Sequence, residues 1–343
     1  MSAANMHNTL KTKQLWQESM SNLITDPEEL LTLLHLDASL LTAARAAAQL
    51  FPLRVPRSFV ARMEKGKLND PLLQQVLPIG AELDQVTGYN RDPLRETYVN
   101  PAPGLFHKYP GRVLVTLTGA CAIHCRYCFR RFFPYEDNNP GRAGWDNIFA
   151  YIQSDETITE VILSGGDPLS VHDHLLKQFT DRLSQIAHVN RLRIHTRLPI
   201  VMPERITDDF IAWARDLTMQ LVIVVHVNHP QEINAEIKTM LQRLQSEKIT
   251  LLNQSVLLKG INDDATTLAL LSESLFTSGV LPYYLHVLDK VEGAAHFDID
   301  LKKAQHLHTE LAQILPGFLV PRLVRETAGE MSKTMLSSEL LTT

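Results

Sequence analysis

The three cysteines of this 343-residue chain fall together as Cys121-Ala-Ile-His-Cys125-Arg-Tyr-Cys128, a C-x3-C-x2-C loop. Three thiolates on so short a loop can hold three corners of a cubane iron–sulfur cluster and leave the fourth iron without a protein ligand. An iron of that kind is open to a small molecule. Zinc is the competing reading, because thiolate sites bind it, but a structural zinc wants a fourth fixed ligand and His124 is the residue in the loop that could supply it. A secreted disulfide framework would need an even number of cysteines spread along the chain.

Other polar groups with chemical potential recur downstream. Ser164-Gly165-Gly166-Asp167-Pro168 joins two glycines, which let backbone approach a ligand closely, to a carboxylate that can accept from an ammonium. His195-Thr-Arg197, His226-Val-Asn-His-Pro230, Asn253-Gln-Ser255 and His286-Val-Leu-Asp-Lys290 follow at intervals.

Each of these clusters ends a short run rich in β-branched residues. Six such runs begin at Arg112, Glu160, Arg191, Gln220, Ile249 and Val280, with helical spacing between or after them, as in the stretches from His172 and Leu301. Near-continuous apolar strands alternating with helices predict a parallel sheet buried on both faces. Six units predict an α/β fold of the partial (β/α)6 barrel type, with the polar clusters on the rim formed by the carboxyl ends of the strands, where such barrels build their sites.

Ahead of the barrel the chain reads as helical with irregular connections. Asp26 caps a helix with Pro27 in its first position and Glu29 closing a capping box; a second helix spans Ala38 to Leu50 and ends before Pro52 and Pro56. Residues 77–110 read as a linker. The expected division is therefore 1–106 for the helical extension and linker, 107–315 for the barrel and 316–343 for a C-terminal segment. With 45% hydrophobic residues, a net charge of -5 and no stripe of Lys or Arg, the chain reads as globular with no nucleic-acid partner. Neither a signal-type segment nor a membrane-spanning run is visible, which predicts a cytoplasmic protein without membrane contact.

The cysteine pattern, with an aromatic residue before its last cysteine and a barrel strand before its first, resembles the radical S-adenosylmethionine (SAM) enzymes. That resemblance implies a [4Fe-4S] cluster on Cys121, Cys125 and Cys128. SAM would chelate the open iron, and an electron donor such as flavodoxin or ferredoxin would drive its cleavage to a deoxyadenosyl radical. Between about His107 and Lys333 the likeness narrows to the lysine 2,3-aminomutase branch. It is carried by His107-Lys-Tyr-Pro-Gly-Arg112, Cys128-Phe-Arg130-Arg131-Phe, His226 to Pro230, Asn253-Gln254-Ser, Tyr283-Tyr284 through Asp289 to Gly293, and His296-Phe297.

What this branch implies can be carried over residue by residue. Lys333 would form a Schiff base with pyridoxal 5'-phosphate (PLP), although only Gly329 remains of the family's glycine run before that lysine. Arg112 would hold the PLP phosphate, while Gly165, Gly166, Asp167, His226 and Gln254 would surround SAM. Arg130 would take the carboxylate of L-lysine, and Asp289 and Glu326 its distal ammonium, Glu326 standing where better-known aminomutases have aspartate. No role falls to His195 or His229, and His286 reads as a core residue. The implied reaction moves the amino group from C2 to C3 and yields β-lysine. The sequence stops ten residues after Lys333, without the zinc-binding extension of the catabolic enzymes. It thereby resembles the short bacterial form that supplies β-lysine for modification of elongation factor P. A radical SAM enzyme acting without PLP on a peptide or another amino acid is the rival reading.

Overall fold

The computed structural model describes residues 15–247 and 249–336; residues 1–14, which carried the reading of the chain's start, and residues 337–343 lie outside it. A single sheet of nine strands organises the described residues, in sequence order from edge to edge. Strands β2 (Arg112–Thr116), β3 (Glu160–Ser164), β4 (Arg191–Thr196), β5 (Gln220–His226), β6 (Thr250–Val256), β7 (Leu281–His286) and β8 (Arg322–Arg325) are parallel. At the edges, β1 (Leu105–Tyr109) and β9 (Thr334–Met335) pair antiparallel with β2 and β8. The expected partial barrel is present, and all six strands read from the sequence lie within it.

The strands that sequence inspection missed are the seventh parallel strand and the two edges. β8 is only four residues long and carries Arg at both ends, and β1 lies in the stretch read as a linker. A second difference concerns burial. Outward positions such as Val161, Leu163, Leu192, Ile194, Ile223, Val225 and Leu251 pack in the core. Inward positions include Glu160 and Ser164 on β3, Arg191, Arg193 and His195 on β4, Gln254 on β6, and Tyr284 and His286 on β7, and these line a cavity. The sheet is therefore apolar on its outer face and polar on much of its inner one.

Six helices make the crossovers: α1 (Gly141–Ser154), α2 (Asp173–Leu183), α3 (Asp208–Asp216), α4 (Ala235–Ser246), α5 (Ala265–Thr277) and α6 (Leu301–Ile314). In α1 the buried residues Trp145, Ile148, Phe149 and Ile152 recur at the three- and four-residue spacing of one helix face. Each such side chain contributes about 1.5–3 kcal/mol by leaving water, which explains why this segment docks on the sheet despite two glycines in its first turn. None of the described helices is long and apolar enough to cross a membrane.

The segment before the barrel is held to it rather than tethered beside it. Asp26 does cap the helix Pro27–Leu33, its side chain accepting from the Glu28 amide at 3.0 Å, but Glu29 does not close a capping box and instead pairs with Arg57. Further on, residues 77–110 are more than a linker: Asn90 bridges to Val291, Tyr89 donates to Asp298 at 2.6 Å, and Arg91 pairs with Glu292. The segment therefore crosses the barrel beside the loop that follows β7.

Candidate active site

The inner face of the barrel encloses a cavity of about 820 Å³. Every residue assigned a site role from the sequence lines it: Cys121, Cys125 and Cys128, Arg112, Arg130, Gly165, Gly166, Asp167, His226, Gln254, Asp289, Glu326 and Lys333. They come from loops and strand ends spread over more than two hundred residues, and the parallel topology is what gathers them.

The cysteine loop follows β2 and is gripped by the N-terminal segment. His124 N and Arg126 N donate to the carbonyls of Arg54 and Gln75, both at 2.9 Å. The side chain of Arg126 is fully buried and donates to both oxygens of Glu82, at 2.8 and 2.5 Å, while Arg131 donates to the same carboxylate at 2.8 Å. Burial, together with the charge of the neighbouring thiol at Cys125, pushes the Cys128 thiol up to about 11. Three sulfurs gathered on one loop are a donor set suited to metal. His124, the residue that could complete a zinc site, is bonded through Nδ1 to the Pro52 carbonyl at 2.7 Å and stacks on Phe51, which leaves Nε2 as its ligand atom. Among the described residues no group of three or more His, Cys, Asp and Glu side chains is gathered about one ion position. A cubane, which takes each thiolate on a different iron, suits this arrangement better.

The Cys125 sulfur has a charged side chain as its partner. Arg197 Nη1 donates to Cys125 Sγ at 2.7 Å and to Tyr127 OH at 2.8 Å, and Nη2 reaches Gln75 and Glu232 at 2.6 and 3.0 Å. His226 belongs to the same network, its Nε2 lying 2.9 Å from Tyr127 OH, and burial followed by the charge of Arg197 pushes its imidazole down to about 3. It is therefore a neutral ring braced under the cysteine loop.

The glycine turn lies against that loop. A Cβ on Gly166 would fall 2.6 Å from the Ala120 carbonyl oxygen, and Gly165 adopts φ +116°, open only to glycine. The carboxylate of Asp167 is saturated by protein donors: Thr196 Oγ1 and Leu169 N on one oxygen, Arg197 N and Leu198 N on the other, at 2.6 to 3.0 Å. It fastens the turn after β3 to the turn after β4, so any ligand here meets the backbone of Gly165 and Gly166 before it meets this acid.

At the other side of the cavity, Lys333 Nζ contacts Glu326, whose other oxygen accepts from Lys108 Nζ and Tyr109 OH, both at 2.8 Å. Burial opposes the charge of Glu326, but the two ammonium groups outweigh it and hold its carboxyl well below the usual range. Asp289 differs: no hydrogen bond or ion pair reaches its carboxylate among the described residues, and burial together with the charge of Glu326 raises it to about 7. Arg130 is sheathed by Phe106, Phe129 and Phe133 and forks onto Glu96. Arg112 lies over the Tyr109 ring at 4.7 Å without an ion-pair partner among the described residues, and the buried Nε of Arg193 and Nε2 of His195 also lack partners. An arginine on the cavity wall without an ion-pair partner fits an anionic group such as the phosphate of PLP.

Sequence reasoning assigned no role to Glu82, Glu96, Lys108 or Arg193. Arg197 was visible only as polar punctuation, and the structure makes it the hub beneath the cluster loop.

No protein-family model matches the chain. Curated relatives do. The chain is 47% identical to the L-lysine 2,3-aminomutase of Escherichia coli K12, over 97% of its own length and 98% of the relative's. It is 46% identical to the L-lysine 2,3-aminomutase of Haemophilus influenzae, over 95% and 96%. With the longer L-lysine 2,3-aminomutase of Clostridium subterminale it shares 32% identity, over 93% of this chain and 77% of that one. Among solved structures, Streptococcus suis SuiB bound to S-adenosylmethionine is similar with a TM-score of 0.48 at 14% identity, over 65% of this chain and 52% of that one, too distant to carry a functional reading. Identity of this order along nearly the whole length is decisive: the chain belongs to the L-lysine 2,3-aminomutase family, whose members are isomerases.

Proposed function

We propose that this chain converts L-lysine to β-lysine with PLP carried on Lys333, and that the product serves modification of elongation factor P. The supporting observation is the convergence on one cavity of three thiols, an amine, an arginine fork and an unpaired acid. When bound, the cluster and SAM supply a carbon-centred radical and PLP carries the migrating amino group.

The chain's residues position and protect. Arg130 holds the lysine carboxylate through its planar guanidinium. Asp289 receives the distal ammonium, since it is the acid without a resident cation; Glu326 adds negative charge to the same end but already has Lys108 and Tyr109. Arg112 is free to pair with a phosphate. The Gly165–Gly166 backbone, with Gln254 on β6, lines the SAM side, and Asp167 and His226 hold the surrounding turns in place. Ile123, Val256 and Leu288 line the cavity with apolar surface that keeps water from a reactive radical.

The test is anaerobic turnover of the reconstituted protein with lysine, SAM and reductant, read as β-lysine, beside the visible absorbance of bound PLP. Lys333→Ala should lose both. Absence of a PLP band in the wild type removes this reading and leaves a PLP-free radical enzyme. For the downstream role, mass spectrometry of elongation factor P from cells with and without the gene should show the lysyl adduct disappear.

A further inference from the structure

Arg130 faces the cavity sheathed by aromatic rings and committed to a carboxylate of the chain itself. Its Nε and Nη2 donate to the two oxygens of Glu96 at 2.7 and 2.6 Å, with 5% and 13% of the two side chains exposed. Phe129, Phe106 and Phe133 lie 5.1 to 5.8 Å from its central carbon and fix the plane of the group. What remains is Nη1, whose one protein contact is Ser164 Oγ at 3.5 Å, the limit of a hydrogen bond. Ser164 ends β3 at the head of the glycine turn, so this end of the guanidinium points to the part of the cavity where the SAM and substrate sides meet.

Glu96 is placed there at a cost. It opens the 3-10 turn Glu96–Val99, and the residue before it, Arg95, has φ 51° and ψ 45°, a left-handed conformation that a non-glycine residue adopts at about 1–2 kcal/mol. Asp92 Oδ1 accepts from the Glu96 amide at 3.2 Å, and the segment is anchored upstream where Asn90 bridges to Val291. An observed backbone outlier that aims a carboxylate into a cavity is a sign of function.

We infer that Glu96 is a positioning residue for the substrate carboxylate: by occupying the Nε–Nη2 edge of Arg130, it fixes the Nη1 end, beside Ser164, as the one that meets the ligand. This rests on the reading of Arg130 as the carboxylate anchor. A guanidinium has more than one edge, so the ligand need not expel Glu96. Expelling it would break a buried, bidentate ion pair. The substrate is then gripped end-on by a group that cannot swing, which sets where C2 and C3 lie relative to the radical source.

The inference is tested by titrating PLP-loaded protein, without reductant, with L-lysine and with 1,5-diaminopentane, which lacks the carboxylate, following the cofactor's visible absorbance. Glu96→Gln should weaken lysine about tenfold or more, the scale of one charged hydrogen bond, leave diaminopentane unchanged, and raise KM more than it lowers kcat. Equal losses for both ligands would make Glu96 a merely structural residue, and tighter lysine binding would make it a competitor; either overturns the inference. If Glu96→Gln loses iron or fails to fold, Glu96→Asp keeps the charge but draws back the edge, and the same selective loss is expected, with equal change for both ligands refuting it. Arg130→Met separates the two levels. If it keeps the preference for lysine over diaminopentane, the reading of Arg130 is wrong; if it abolishes the preference while the Glu96 variants do not, only the role of Glu96 fails.

Discussion

Glu82 offers the sharpest test of how the cluster loop is held. Its carboxylate is 1% exposed and accepts from Arg126 Nε and Nη2, from Arg131 Nη2, and from the Ile79 amide. Glu82→Gln keeps the shape but replaces one oxygen with an amide that is itself a donor, so at least one guanidinium contact becomes donor against donor. It also strands two buried cations that flank Cys128. Removing one partner of a buried pair costs about 3–5 kcal/mol, and with an unfolding entropy of about 2.1 cal/mol/K per residue that is a fall in Tm of roughly 4–7 °C for a chain of this size. Because Arg126 follows Cys125 directly, iron per chain after anaerobic reconstitution should fall with it. Thermal unfolding and iron analysis on the same preparation check both. A variant within about 1 kcal/mol of wild type and with full iron would show that Glu82 does not support the loop, and the account of the N-terminal segment as its scaffold would be wrong.

Asp289, raised to about 7 by burial first and Glu326 second, binds a proton more tightly folded than unfolded. It therefore contributes stability that is full below its ordinary value of 3.8 and is lost as pH rises through about 7. Lysine, by contrast, needs the ionised form, so kcat/KM should climb with pH up to about 7, and Asp289→Asn should flatten both profiles; a persisting slope would point to another group. Gly166→Ala drives a methyl into the Gly119–Ala120 backbone and should abolish SAM-dependent changes in the cluster's EPR spectrum, while unaltered SAM binding would refute the close approach. Arg197→Gln removes a cationic donor from Cys125 Sγ and should lower the cluster's reduction potential, since the donor favours the more electron-rich state; an EPR-monitored redox titration giving an unchanged potential would refute it.

The cysteines, the glycine turn and six strands were legible because each signal is local: thiol spacing, a turn dipeptide, a β-branched run. What escaped the sequence is held by pairs far apart along the chain. Arg130 meets Glu96 across 34 positions, Arg126 meets Glu82 across 44, and Lys108 meets Glu326 across 218. No periodicity links such residues, and only the folded barrel makes Glu96 a neighbour of the fork. Asp167 shows the opposite case. It follows the second of the six strands read from the sequence, but four protein donors use up its carboxylate, which no motif reveals.

Among the described residues the barrel wall has a gap between β1 and β9, since neither edge strand hydrogen-bonds to the other. Glu326, just after β8, reaches across it to Lys108 and Tyr109 of β1. Elsewhere neighbouring strands share main-chain bonds and resist parting. The molecule thus has one mechanical weak line, stapled by an acid that also touches the amine at Lys333, so the wall can widen there without tearing a ladder.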